Sequence, residues 1–127
     1  MSAPLPQDLD RQIVEELNRG DIEAILSHYE PDALFSPQPG QTAVGLDAIR
    51  EAFEGFVAMK PHVSYESADL IAQADDLAIT SVRNWVVRGT GPDGSPVEFS
   101  GNSAEVVRRQ PDGSWRYVLD FMFGVPA

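Results

Sequence analysis

The sequence predicts an α+β fold: three N-terminal helices packed in a strongly curved, mixed or antiparallel β-sheet, forming a cone that encloses a pocket. Apolar residues recur at helical spacing before Pro61, and after it they alternate with polar residues as in strands. Two Asp-Gly turns, at residues 92–95 and 111–114, join the last three strands into hairpins. Helices that precede an antiparallel sheet pack on one of its faces, which gives this layered class of fold.

The chain of 127 residues is expected to form one domain over residues 8–124, after a loose lead at residues 1–7. Its net charge of −11 disfavours nucleic acids and anionic membranes as partners, because both attract basic proteins. The lack of cysteine excludes a disulfide, a thiol nucleophile and a thiolate metal site. No apolar run approaches the roughly 18 residues of a membrane span, and no signal-peptide pattern is present, so we expect a cytoplasmic protein.

Three helices are predicted from apolar residues that recur at helical spacing. Asp8 is expected to cap the first helix, and Gly20 suits the left-handed position after its last turn. Asp21 caps the second helix, whose buried stripe is expected to extend to Tyr29. Asp47 is expected to cap the third helix, and a proline after it ends that helix.

The strands follow from alternation and from turn residues. A short strand is predicted at residues 33–36, before a proline-rich loop at residues 37–41. Residues 62–73 and 77–89 each form one strand. Two more strands are expected on either side of the turn at residues 111–114.

The hairpin turns predict which side chains share a face. If both loops have two residues, Asn84 pairs with Ser103 and Glu105 pairs with Asp120, while Ser103 lies opposite Met122. Because strand side chains alternate, these polar groups lie on one side of the sheet. The apolar residues expected on that side are Val82, Val86, Phe99, Val107, Val118 and Met122. Two carboxylates on an otherwise apolar face are the strongest indication of a functional site in the sequence.

The opposite face of the predicted sheet is also apolar. It carries Trp85, Tyr117, Leu119 and Phe121. A sheet with two apolar faces must be covered twice. We expect the helices to cover one face and a second copy of the chain to cover the other, as a homodimer. The alternative is that the aromatic face packs on the helices and the polar cluster faces solvent.

The order of elements and four local motifs resemble the nuclear transport factor 2-like superfamily, which includes ketosteroid isomerases, limonene epoxide hydrolases and SnoaL-like polyketide cyclases. The motifs lie at residues 20–25, 29–35, 45–50 and 112–116, and the resemblance spans residues 8–123. Within this superfamily, the sequence most resembles the small isomerase-like and SgcJ-like proteins of bacteria. The resemblance implies the cone-shaped fold and a small-molecule pocket, but this fold supports many unrelated activities.

The catalytic residues of these families are carried over only in part. Of the ketosteroid isomerase set, the acid of the oxyanion hole falls at Glu105, whereas the loop carboxylate falls at Pro37 and the helix tyrosine at Ile13. Of the limonene epoxide hydrolase set, the water-activating aspartate falls at Asp120, and its partner aspartate falls at Asn84. The resemblance therefore implies neither of these two reactions as such.

Glu105 and Asp120 are the candidate catalytic residues. Two adjacent carboxylates in an apolar pocket cannot both ionise cheaply, so one should hold a proton near neutral pH, as general acid/base chemistry requires. The structural alternative is a carboxyl pair satisfied by a shared proton or by neighbouring side chains. The candidate substrate-binding residues are Asn84, Ser103, Tyr29, Phe35, Phe53, Val118 and Met122.

Three functions remain open from the sequence. The first is an enzyme that performs isomerase-, cyclase- or hydrolase-type acid/base chemistry on a small apolar molecule. The second is a ligand-binding domain without catalysis, and the third is a dimeric interaction domain. No metal site or cofactor is predicted, because the chain has no phosphate-binding loop, no nucleotide fingerprint and no metal-ligand spacing.

Overall fold

The computed structural model describes residues 5–124, which form three helices and nine strands. The helices are α1 (Pro6–Arg19), α2 (Ile22–Leu26) and α3 (Leu46–Ala58). The strands are β1 (Tyr29–Gln38), β2 (Gln41–Val44), β3 (His62–Ser64), β4 (Ser67–Ala74), β5 (Leu77–Arg83), β6 (Trp85–Thr90), β7 (Pro96–Gly101), β8 (Ala104–Arg109) and β9 (Trp115–Phe121). None of these helices is long and apolar enough to cross a membrane.

The strands form two sheets that continue into each other. The large sheet has the order β2-β1-β9-β8-β5-β4, with β1 and β9 parallel and the other neighbours antiparallel. The small sheet has the antiparallel order β3-β6-β7. One residue separates β5 from β6, and two separate β7 from β8, so the backbone bends sharply from one sheet to the other. This confirms the predicted α+β fold with helices packed against a curved, mixed sheet.

Two predicted N-caps are wrong and one is right, while Gly20 has the predicted left-handed conformation after α1. Helix α1 begins at Pro6, because proline fits the first helical turn, and Asp8 lies inside that turn instead of capping it. The predicted lead therefore includes residues of α1, while its residues 1–4 lie outside the described part of the chain. Gly45 precedes α3, so Asp47 is also within the first turn. Asp21 caps α2 as predicted, by accepting a hydrogen bond from the Ala24 N–H.

The first hairpin differs from its prediction. Tyr29 begins β1 and is not part of α2, and β1 runs to Gln38 before β2 follows. The predicted proline-rich loop thus contains strand residues. Pro37 is tolerated because the β1–β2 register is irregular between Phe35 and Gln38, where a missing N–H is not needed by the ladder.

The predicted strands at residues 62–73 and 77–89 are each divided between the two sheets. The second of them breaks at Asn84, which has a left-handed φ of 49°. This one residue reverses the alternation, so that Val82 and Trp85 both face the helices. The prediction that Trp85 lies on the outer face is therefore wrong, since it is 3% exposed. Because the loop between β6 and β7 covers residues 91–95, Trp85 pairs with Gly101. The expected pairing of Asn84 with Ser103 does not form.

The predicted pairing of Glu105 with Asp120 is confirmed, although by a different route. The loop between β8 and β9 is longer than two residues, which shifts the register by one near the turn. A bulge at Val118 shifts it back, so that Val107 pairs with Tyr117 and Val106 pairs with Leu119. Tyr117 consequently points inward, and its predicted place on the outer face is wrong. The ladder ends at Phe121, so Ser103 has no strand partner in Met122.

The core lies between the helices and the inner face of the sheets. Its centre is an aromatic group in which the rings of Phe35 and Phe53 stack at 4.6 Å and those of Tyr29 and Tyr117 lie 4.9 Å apart. Asn18, at the end of α1, donates to and accepts from the Val63 backbone, which fixes the edge strand β3 to the helix. These contacts hold α1 over the inner face.

The outer face of the large sheet carries an apolar row that crosses all six strands. We call it the outer row; in strand order it consists of Val44, Leu34, Leu119, Val106, Ile79 and Ala72. Ile79 is 43% exposed in the single chain, and Val44 is exposed as well. Leu119 was predicted on the outer face and lies in the outer row. Phe121, predicted on the same face, lies beside it in the next row.

Candidate functional site

A cavity of about 70 Å³ lies between α1, α3 and the inner face of the sheets and opens partly to solvent. Its walls are mostly apolar and include five aromatic side chains: Phe35, Phe53, Phe56, Trp85 and Tyr117. Helix α1 contributes Asp10, Ile13, Val14 and Leu17, which lie on successive turns of one face. At about 1.5 Å per residue, Asp10 and Leu17 are roughly 10 Å apart, so the cavity has a polar end and an apolar end.

Three carboxyl groups meet at the polar end. Glu105 and Asp120 are cross-strand neighbours on β8 and β9, and Asp10 reaches them from α1. Their exposed fractions are 1% for Asp10, 2% for Glu105 and 8% for Asp120. We call these three residues the carboxyl cluster.

Each member of the carboxyl cluster accepts a hydrogen bond from a different buried hydroxyl. Tyr29 Oη donates to Asp120 Oδ2. Tyr117 Oη donates to Asp10 Oδ1 at 2.6 Å, and Thr80 Oγ1 donates to Glu105 Oε1 at 2.9 Å.

Two oxygens of the cluster have no donor of this kind. Asp10 Oδ2 and Glu105 Oε2 are buried and receive no hydrogen bond from the described residues. The two carboxyl groups are close enough for a proton on one to bond to the other. A proton held between Asp10 and Glu105 therefore satisfies both oxygens.

Burial raises the pKa values of the whole cluster. Burial raises the pKa of Asp120 to about 7; the hydrogen bond from Tyr29 lowers it, and the charge of Asp10 raises it. Burial, with the charges of Asp10 and Asp120, holds the pKa of Glu105 well above its usual range. The pKa of Asp10 is raised by burial, and this shift is opposed by hydrogen bonds from Glu105 and Tyr117. Because hydrogen bonds oppose the rise in the pKa of Asp10, whereas the charges of its neighbours add to the rise in that of Glu105, Glu105 is the better proton donor of the two and Asp10 the better acceptor.

The structure brings four of the sequence-predicted binding residues to the cavity wall. They are Ser103, Phe35, Phe53 and Met122. The Ser103 hydroxyl accepts a hydrogen bond from the Val82 N–H at 2.8 Å, and it also lowers the pKa of Glu105. Met122 is held in place because its carbonyl accepts a 2.8 Å hydrogen bond from Trp85 Nε1.

Three other predicted binding residues are placed differently. Tyr29 is buried behind the cavity, and its contact with the site is its hydrogen bond to Asp120. Asn84 is exposed at the bend between sheets and binds Glu66, so its prediction as a pocket residue is wrong. Val118 is the bulged residue of β9 and does not line the cavity, which corrects its prediction too.

Asp10, Thr80 and Tyr117 belong to the site but were not predicted from the sequence as site residues. Asp10 could have been found, because it precedes Ile13 and Leu17 by three and seven residues and therefore lies on the same helical face. Thr80 alternates with the buried Val82 on β5 and carried a similar signal. Tyr117 was not detectable, since a bulge decides its direction.

Comparison with known proteins agrees with this architecture. The model of the SnoaL-like domain family matches residues 11–118. A solved structure of a "putative aromatic ring hydroxylase" from Novosphingobium aromaticivorans is 28% identical, with 94% of this chain and 87% of that chain covered and a TM-score of 0.80. No match was found among curated proteins.

Two further solved structures share the fold at lower identity. A ketosteroid isomerase-like protein from Erwinia carotovora atroseptica is 19% identical, with 91% and 90% of the two chains covered and a TM-score of 0.72. A protein from Novosphingobium aromaticivorans, described as NTF2-like with a cystatin-like fold, is 21% identical, with 91% and 76% covered and a TM-score of 0.73. The family match spans most of the sequence and agrees with the helix–sheet order and the cavity. The chain therefore belongs to the SnoaL-like domain family, and its fold is that of the ketosteroid isomerase-like and NTF2-like structures.

Proposed function

We propose that this protein is an enzyme that moves protons on a small, mostly apolar molecule without a cofactor. The observation that carries the proposal is the carboxyl cluster at the polar end of a mostly apolar cavity. General acid/base catalysts often use carboxyl groups whose pKa values are raised by burial in a water-poor cavity. Isomerase-, cyclase- and hydrolase-type reactions all use such groups.

The two predicted catalytic residues have different roles in this proposal. Asp120, with a pKa of about 7, is the base, because it is ionised in a large fraction of molecules at neutral pH. Glu105 is the acid, because its proton is retained by burial and by the charges around it. Asp10 is a positioning residue that accepts the hydrogen bond of Glu105 and keeps its proton in place.

The chemistry can be tested through proton exchange next to a carbonyl group. Asp120 would take a proton from the carbon beside the carbonyl while Glu105 donates to the carbonyl oxygen, and the return of deuterium from D₂O would label the carbon. Small cyclic ketones are incubated with the protein in D₂O and followed by proton NMR. Asp120→Asn should slow the exchange about 100-fold or more, as loss of a general base does.

Asp32→Asn is the matched control, because it removes the same charge from an exposed position. The catalytic proposal is abandoned if the parent protein and Asp120→Asn exchange at the same rate. A pocket that binds ligands without turning them over would then be the better description.

We also propose that two copies associate through the outer row. Its six residues form an apolar band about 24 Å wide, given a strand spacing of about 4.8 Å. In the single chain, no helix covers this face among residues 5–124, and Ile79 remains 43% exposed.

The cytoplasmic location and bacterial origin stay predictions from the sequence.

A further inference from the structure

The charges of the cavity are unbalanced. The carboxyl cluster supplies three acidic groups, and none of the described residues that line the cavity is Lys, Arg or His. A buried charge is costly unless it is paired. A proton on Glu105 reduces the imbalance but leaves Asp10 and, above neutral pH, Asp120 without an ion pair; Arg11 does not line the cavity and acts on Asp10 only through its charge.

The cluster also has two acceptor oxygens whose only partner among the described residues is the proton that Asp10 and Glu105 share. Asp10 Oδ2 and Glu105 Oε2 receive no hydrogen bond from the described residues, apart from a proton that the two groups share. Their side chains are 1% and 2% exposed and line the cavity. An incoming donor that carries positive charge would bind the remaining lone pairs of these oxygens and also neutralise the cluster.

The walls suit an organic cation in particular. Among residues 5–124, no group of three or more His, Asp or Glu side chains has a geometry that could hold a metal ion. The cavity is instead lined by five aromatic rings, whose faces attract cations. Beyond the rings, Leu17 and Val63 form an apolar end that fits a hydrocarbon group.

We propose that the ligand of this cavity is a small organic ammonium ion, whose nitrogen binds the carboxyl cluster and whose apolar body fills the end near Leu17 and Val63. This inference names the ligand class of the proposed active site and rests on that proposal for the site itself. It also narrows the expected small apolar molecule to one with a basic nitrogen, and it disfavours anionic ligands.

The test compares three probes of similar shape and different charge: isobutylammonium, isobutanol and isobutyrate. Binding is followed by the NMR shifts of cavity methyl groups such as those of Val14 and Met122. At pH 8.5 the ammonium ion should bind at least tenfold more tightly than the alcohol, and isobutyrate should bind more weakly than both.

The pH dependence provides a second readout on the same samples. Alkylammonium ions remain protonated from pH 5.5 to 8.5, so a change in affinity reports the protein. As Asp120 ionises with rising pH, the affinity for isobutylammonium should increase roughly tenfold or more, whereas that for isobutanol should not increase.

Variants identify the groups responsible. Asp120→Asn and Asp10→Asn should each remove most of the preference for the ammonium ion. Two variants are used so that the test still works if one of them does not fold. Asp32→Asn removes the same charge from the surface and should keep the preference, which separates local pairing from the overall charge of −11.

The inference is overturned if isobutanol binds as tightly as isobutylammonium at pH 8.5. In that case ketone exchange that depends on Asp120 would still support the acid/base proposal, with a neutral ligand. If no probe shifts the cavity methyl groups and the exchange assay also fails, both the ligand class and the proposed function are wrong.

Discussion

Tyr29 and Tyr117 have similar surroundings but serve different acids. Both hydroxyls are buried, and burial together with the nearby carboxyl charges raises the pKa of each well above its usual range, so both remain donors. Tyr29 donates to Asp120, and Tyr117 donates to Asp10. This division allows the pKa of one carboxyl to be changed through its own phenol.

Tyr29→Phe should raise the pKa of Asp120 above its parent value of about 7. The hydrogen bond from Tyr29 stabilises the ionised carboxylate, so its removal favours the protonated form. The pKa can be read from the pH dependence of the Asp120 carboxyl carbon shift. Tyr117→Phe is the matched control, because its hydroxyl binds Asp10; a larger shift of Asp120 in this variant than in Tyr29→Phe would refute the assignment.

The cluster should also make stability depend on pH in an unusual direction. The pKa of Asp120 is about 7 in the folded protein and near the ordinary 3.8 when unfolded. Below pH 4 both states hold the proton, and between pH 4 and 7 only the unfolded state releases it. The parent protein therefore loses stability from this group as pH rises through that window.

Asp120→Asn should be more stable than the parent protein at pH 8, on the order of 2–4 kcal/mol, and equally stable at pH 4. Asparagine keeps an acceptor for Tyr29 without the cost of a buried charge. Urea unfolding at both pH values measures the difference. A difference that is the same at pH 4 and pH 8 would show that Asp120 is not buried as an ionisable group.

At the scale of single residues, the sequence identified Glu105 and Asp120 but not the groups that bind them. Their pairing followed from turn chemistry and strand alternation, although a bulge and a longer loop compensated for each other. Asp10 comes from a helix, and how α1 lies over the sheet is a matter of tertiary packing. The spacing of Asp10 to Ile13 and Leu17 shows which face of α1 it shares, but no local pattern shows which strands that face meets.

At the scale of elements, Asn84 determines the shape of the site. Its left-handed φ of 49° ends β5, and its N–H donates to Asn102 Oδ1 at 2.8 Å where β7 also ends. Asparagine tolerates this conformation better than most residues do. The bend turns Trp85 toward the cavity, where it packs against Phe99 with ring centroids 5.9 Å apart.

Asn84→Val should destabilise the protein by about 1–3 kcal/mol, because a β-branched residue is strained at this φ. Asn84→Gly should cost much less. Urea unfolding measures both, and Ser100→Val is a control at a regular exposed position of β7. Equal stability of the valine and glycine variants at position 84 would contradict a required left-handed bend.

The same residue explains why element prediction failed in part. Alternation placed Val82 correctly, since no irregularity lies between it and the rest of β5. Within β6, beyond Asn84, the inward and outward assignments were reversed, as for Trp85. A single left-handed residue or bulge is invisible to a period-two pattern, yet it moves every side chain after it to the other face.

At the scale of the whole molecule, the outer row predicts self-association. Ile79→Lys places a charge in the middle of the row and should convert a dimer into a monomer. Leu70→Lys is the matched control, because Leu70 is similarly exposed (40% against 43%) but pairs with the inward-facing Thr80. Sedimentation velocity distinguishes the species, and a parent protein that is monomeric at micromolar concentration would rule out the dimer.

The central claim is that a proton is retained in a coupled group of buried carboxyls. Carbon-13 NMR titration of the side-chain carboxyl groups tests it most directly, with Asp120→Asn used for assignment. We expect Asp120 to titrate near pH 7 and Glu105 well above its ordinary pKa, and we expect Asp10→Asn to lower both pKa values, because the charge of Asp10 raises each. Titration of both groups near their ordinary pKa values, unaffected by Asp10→Asn, would contradict the claim.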